Sequence, residues 1–171
     1  MNRDGTVTVL RWPSPSYYDQ VRYKTSDRDL PRLGAAEDEG MFLGLSVEID
    51  DGRRTTWLRD WDSEQRHGDG WTDEVVTTYT DGELGLEVEV RDVVGHPDDT
   101  LARQVTVERL EGSSVRDASL LFFENLSLVV SKLATLPVQD WCFESQNTDT
   151  ARYEADLDAL VHEKEARRVD R

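Results

Sequence analysis

In the stretch MFLGLSVEID, the odd positions Met41, Leu43, Leu45, Val47 and Ile49 are all apolar. Their even neighbours run from Phe42 and Gly44 to Ser46, Glu48 and Asp50. A period of two puts alternate side chains on opposite faces of extended backbone, so this segment must become a strand with one covered face. The same alternation returns in LGLEVEV, where Leu84, Leu86, Val88 and Val90 oppose Glu87 and Glu89, and in TLARQVTVERL through Leu101, Val105 and Val107. ASLLFFENLSLVV is apolar on both faces, as a strand covered on both sides would be.

Turn chemistry separates these runs. IDDGRR (Ile49–Arg54) and YTDGEL (Tyr79–Leu84) each set Asp-Gly between strands, while VGHPDDT and LEGSSV make longer connections. Connections recur about every ten residues, and no window between Met41 and Leu126 has helical periodicity. The expected fold is all-β: a two-sheet antiparallel super-sandwich of about eight to ten strands, with an open edge where the chain ends. The sandwich domain is expected over 5–162. Near its end, Tyr153, Ala155, Leu157, Ala159 and Val161 alternate like a strand, although Tyr153, Leu157, Leu160 and Val161 also fit a helical stripe. We read a strand over Arg152–His162, then a charged, frayed tail over 163–171.

Charge narrows the partners. Among the 171 residues, 36 acids oppose 20 bases, a net of −16, and the bases are 17 Arg with only Lys24, Lys132 and Lys164. Such a body repels itself, and the repulsion weakens as the Debye length falls to about 3 Å at molar salt. Many surface Asp with few Lys fit a protein of salty cytoplasm, and an acidic protein of ordinary cytoplasm has the same sign. Nucleic acid and anionic membrane are repelled by it. The sequence shows no apolar run near the ~20 residues of a membrane span and no hydrophobic leader, so a cytoplasmic location is expected. Cys142 is the only cysteine. It can form no disulfide within the chain and reads as an inert buried thiol.

Sites for chemistry are few. Asp60, Asp62 and Glu64 open like a calcium loop, but Gln65 stands where Gly is needed and Trp71 where the closing Glu is needed. His67, His96 and His162 are scattered, without zinc-ligand or triad spacing. Neither a metal, a cofactor nor a catalytic residue is expected in this chain. The aromatics are different: Trp12, Tyr17, Tyr18, Trp57, Trp61 and Trp71 crowd the first 71 residues. Flat rings stack on sugars, anchor interfaces or fill cores, and all three readings stay open here.

The order of the motifs carries a resemblance. GTVTVLRWPSPSYYDQVRYKTSDRDLPRLG, a strand ending VEIDDG, and then TWLRDWD resemble the start of prokaryotic, haloarchaeal-type glucoamylases of glycoside hydrolase family 15. LEVEVRDVVGHPDDTLARQVTVE and LLFFENLSLV continue the series, to about His162. The resemblance implies an N-terminal β-sandwich that supports an (α/α)6 catalytic barrel. The catalytic Glu pair belongs to that barrel, so no residue here inherits a catalytic role. It further implies a fragment or truncated paralogue, with a frameshift near Glu163 as one origin. The implied partners are a catalytic barrel domain or chain and α-glucan. Trp12, Tyr17, Tyr18, Trp57 and Trp61 become candidates for interface or sugar contact. The other function is a stand-alone carbohydrate-binding sandwich using the Trp/Tyr cluster.

Overall fold

The computed structural model describes residues 1–8, 10, 40–69, 73–95, 99–124 and 150–163. The chain divides into two compact units: Met1–Thr8 with Met41–Glu124, and Val9–Gly40 with Asn125–Arg171. The sandwich body read at 5–162 draws on residues of both, and each unit is described by itself.

The first unit is an antiparallel β-sandwich. Strands β1 (Met41–Ile49), β2 (Gly52–Trp57) and β7 (Asp117–Glu124) form one sheet in the order β2-β1-β7. Strands β3 (Asp62–His67), β4 (Val75–Asp81), β5 (Leu86–Gly95) and β6 (Thr100–Arg109) form the other in sequence order. All pairings are antiparallel. The described residues contain no α-helix, only a 3-10 turn at Leu58–Asp60.

Alternation builds the core as the sequence requires. Leu43, Leu45 and Val47 of β1 pack with Leu86, Val88 and Val90 of β5, and Leu58, Trp61, Tyr79, Leu84 and Val115 close the cluster. Each fully buried aliphatic side chain contributes about 1.5–3 kcal/mol of transfer free energy. The two Asp-Gly signals lie at turns but act differently. In β1–β2, Ile49 pairs with Gly52 across Asp50-Asp51, and Gly52 takes the positive φ of 118° that opens β2. In β4–β5 the connection is a longer loop. The Asp81 carboxylate accepts the amides of Glu83 and Leu84, Leu84 drops into the core, and Gly85 rather than Gly82 adopts positive φ, at 63°.

Two expectations are corrected. The stretch read as covered on both sides is described as far as β7, where Leu120 and Phe122 are 50% and 45% exposed, and its remainder lies outside the described residues. In the second unit, the strand read over Arg152–His162 is a hairpin of β8 (Thr150–Glu154) and β9 (Ala159–Glu163). Asp158 takes φ 48° in its turn, a left-handed conformation that Asp tolerates without glycine. The turn therefore carries no Gly signal. Glu163, read as the first residue of the tail, pairs with Thr150 in β9, and 164–171 lie outside the described residues.

The N-terminal residues reach into the sandwich. Val7 bridges Met41, and Gly5 turns at φ 71°. The Tyr79 hydroxyl donates to the Asp4 carbonyl at 2.8 Å. Burial pushes the Tyr79 phenol up to about 12, with nearby Asp4 and Asp92 adding to the shift and Arg103 opposing it. A phenol whose folded pKa exceeds its unfolded value of about 10 stabilises the fold fully below pH 10, and that contribution is lost as pH rises toward 12. Thermal melts from about pH 9 to 12 should therefore fall more steeply for the native chain than for Tyr79→Phe. Parallel curves would refute the assignment, because the other tyrosines are common to both proteins.

Candidate functional site

The outer face of the three-stranded sheet carries an aromatic platform. Registers place Phe42 opposite Phe123, and Gly44 opposite both Trp57 and Leu121. Opposed residues of an antiparallel pair share a face, so these side chains meet on the side away from the core. Phe42 stacks on Phe123 with ring centroids 4.6 Å apart. Trp57 stands edge-on to both, at 5.1 Å from Phe42 and 6.4 Å from Phe123.

Glycine makes room for the indole. A Cβ on Gly44 would lie 2.4 Å from Trp57 Cε3, so the six-membered ring of the indole occupies the space above this glycine. A mid-strand glycine often marks such a close approach. After Trp57 the backbone tightens into Leu58–Asp60, which drops Leu58 into the core and returns Arg59 to the outer face. The Arg59 guanidinium lies 3.9 Å from the Phe42 ring centroid, a cation–π contact. Phe42 is buried under this arrangement, whereas Trp57 is partly exposed.

The sequence candidates separate by position. Trp57 is the platform. Trp61, four residues on, is a core residue whose indole Nε1 donates to Thr56 Oγ1 at 2.8 Å, so it presents no free surface for a sugar or a partner. Trp12, Tyr17, Tyr18 and Trp71 lie outside the described residues, as do His96 and Cys142. Phe42, Gly44, Arg59 and Phe123 were not singled out by sequence. The signals for them were the glycine inside β1 and the apolar even position Phe42, both of which need the strand register to gain meaning. Asp60, Asp62 and Glu64 do not converge: no metal-holding group of three His, Cys, Asp or Glu occurs among the described residues.

A second constellation is buried inside the first unit. Arg103 grips Asp92 with both carboxylate oxygens engaged, Nε to Oδ1 at 2.6 Å and Nη2 to Oδ2 at 3.2 Å. Nη2 also donates to the Gly5 carbonyl at 3.0 Å. The two side chains are 11% and 3% exposed. These bonds tie β5, β6 and the N-terminal turn together, which assigns the pair to architecture.

The fold and the platform define an antiparallel β-sandwich protein with a glycine-seated tryptophan on one outer face. No known protein family, curated protein or solved structure matches the chain. Among the described residues, no helix is long and apolar enough to cross a membrane.

Proposed function

We propose that this chain is a non-catalytic β-sandwich of a glucoamylase-like α-1,4-glucan hydrolase, supporting a separate (α/α)6 catalytic domain in salty cytoplasm. The observation that carries the reading lies in TWLRDWD, a segment on which the sequence resemblance rests. It supplies Trp57 and Arg59 to an outward-facing aromatic surface while sending Leu58 and Trp61 into the core. A surface of this make-up is suited to anchoring a neighbouring domain, since aromatic and arginine side chains dominate interface energetics. Supplying the chain in trans to a glucoamylase barrel stripped of its own sandwich, in molar KCl, should restore soluble maltose hydrolysis. A barrel that stays inactive with the chain present sinks the proposal, and turnover by the chain alone overturns its non-catalytic part.

The partial exposure of Trp57 favours a second reading, a stand-alone carbohydrate-binding sandwich. An indole face covers the C–H surface of a pyranose, and Arg59 offers donors to its hydroxyls. Titration with maltooligosaccharides should then give a saturable change in tryptophan fluorescence that Trp57→Ala abolishes. A flat titration removes this reading and leaves the first untouched.

A further inference from the structure

Asp-Gly occurs four times in the chain, beginning at Asp4, Asp51, Asp69 and Asp81. An aspartyl carboxyl carbon can reach the amide nitrogen of the next residue, and glycine leaves that nitrogen without a shielding side chain. The fold treats the three fully described pairs differently (Gly70 lies outside the described residues). At the first, the Asp4 carboxylate accepts the Thr6 amide at 3.0 Å, the Gly5 amide donates to the Asn2 carbonyl at 3.1 Å, and Gly5 is buried. At Asp81, one carboxylate oxygen accepts the amides of Glu83 and Leu84, each at 2.9 Å. Asp51 has neither constraint. Arg116 pairs with its neighbour Asp50 instead, and the Asp51 carboxylate has no hydrogen bond or ion pair with any described residue. Asp51 and Gly52 are both exposed, and apart from the chain neighbours no atom lies within 4 Å of where a Gly52 side chain would begin.

We propose that Asp51-Gly52 is a site of spontaneous isoaspartate formation, selected by the fold over Asp4 and Asp81, and that its conversion loosens the β1–β2 hairpin. The Gly52 amide nitrogen attacks Cγ of Asp51 in its protonated carboxyl form. The N–Cγ bond forms and the Cγ–OH bond breaks. The amide proton departs with the hydroxyl as water, which leaves a five-membered succinimide. Solvent water then adds at either ring carbonyl. Addition at Cγ breaks the Cγ–N bond and restores aspartate. Addition at the main-chain carbonyl carbon of Asp51 breaks its bond to nitrogen, so the chain now runs through Cβ and Cγ and the former main-chain carbon ends as a free carboxylate. Water is the only co-reactant, and nothing is oxidised or reduced.

The hairpin cannot lose the glycine of this pair without strain. Gly52 has φ 118°, a region that residues with a side chain rarely adopt, so the turn retains the residue that makes Asp51 reactive. Conversion lengthens the main chain by one atom inside a connection of only two residues, Asp50 and Asp51. Turn length fixes the register of a hairpin. Here that register runs from Ile49–Gly52 to Gly44–Trp57, so the inserted atom acts on the pairing that seats the indole.

The full chain, kept folded at neutral pH for several weeks, is mapped by liquid chromatography with electron-transfer fragmentation, which tells isoaspartate from aspartate. Asp51 should accumulate isoaspartate at least about tenfold faster than Asp4 or Asp81, the factor set by one charge-assisted hydrogen bond that must break before attack. In urea that preference should disappear, because each pair is then the same exposed Asp-Gly. Asp51→Glu, which would have to close a larger ring, should stay unconverted and keep its urea midpoint on ageing, while the converted fraction of the native chain shows a lower one. A folded chain in which Asp4 or Asp81 converts as fast as Asp51 overturns the assignment. So does an Asp51 that stays intact while the urea sample converts. A converted fraction with the native midpoint overturns the loosening of the hairpin. Should Asp51→Glu fail to fold, the comparison of folded and urea samples still decides, since it needs no variant.

Discussion

Arg103→Ala should lower the free energy of unfolding by about 3–5 kcal/mol, the cost of stranding one member of a buried ion pair. Asp92 is 3% exposed and has both carboxylate oxygens held by this one guanidinium. Without it, the carboxylate must stay charged in an apolar setting, take up a proton, or drag water inward. The Gly5 carbonyl loses its donor in the same change, so the N-terminal turn should loosen as well. Urea denaturation reads the loss as a lower midpoint. Pairing Arg103→Met with Asp92→Leu should recover most of the stability, because two apolar groups leave no charge to solvate. A single variant within about 0.5 kcal/mol of the native chain, the usual effect of a surface change, would show that the pair is hydrated and not buried.

Gly44→Ala should destabilise by about 1–3 kcal/mol through overpacking. The sign is informative. At a position without positive φ, a Gly-to-Ala change ordinarily stabilises by roughly 0.4–1 kcal/mol, by restricting the unfolded chain. Here the added carbon meets Trp57 Cε3 at 2.4 Å and the Thr56 carbonyl oxygen at 2.6 Å. The ring can swing away, but the carbonyl belongs to the backbone of the neighbouring strand and can yield only if β2 shifts. Near-ultraviolet circular dichroism should lose the Trp57 signal alongside the fall in urea midpoint. Trp57→Ala added to Gly44→Ala should relieve part of the loss and leave the carbonyl contact. A stabilised Gly44→Ala variant would show that the indole does not lie over this glycine.

Legibility in the sequence followed the range of each interaction. The alternation of β1 and β5 states which side chains enter the core, and Leu84, Leu86, Val88 and Val90 are all buried as read. Asp-Gly marked both turns, although the loop length and the glycine with positive φ in the second emerged only from the fold. The β8–β9 turn escaped because Asp158 holds a conformation usually signalled by glycine. β7 was misread because apolarity on both faces does not say how far each face is covered, and Leu120 and Phe122 are about half exposed. The platform was the least legible feature. Phe42, Trp57 and Phe123 come from three separate strands and meet only through two strand registers. Arg103 and Asp92 look like ordinary surface charges until the β5–β6 pairing sets them opposite one another.

The N-terminal turn has a consequence for biosynthesis. Its polar contacts span 63 residues to Gln65, 75 to Tyr79 and 98 to Arg103. At a ribosome adding about 5–20 residues each second, this turn waits several seconds for Arg103. Residues 2–5 therefore cannot lock before Arg103 has emerged, and contacts of such long range favour slower folding.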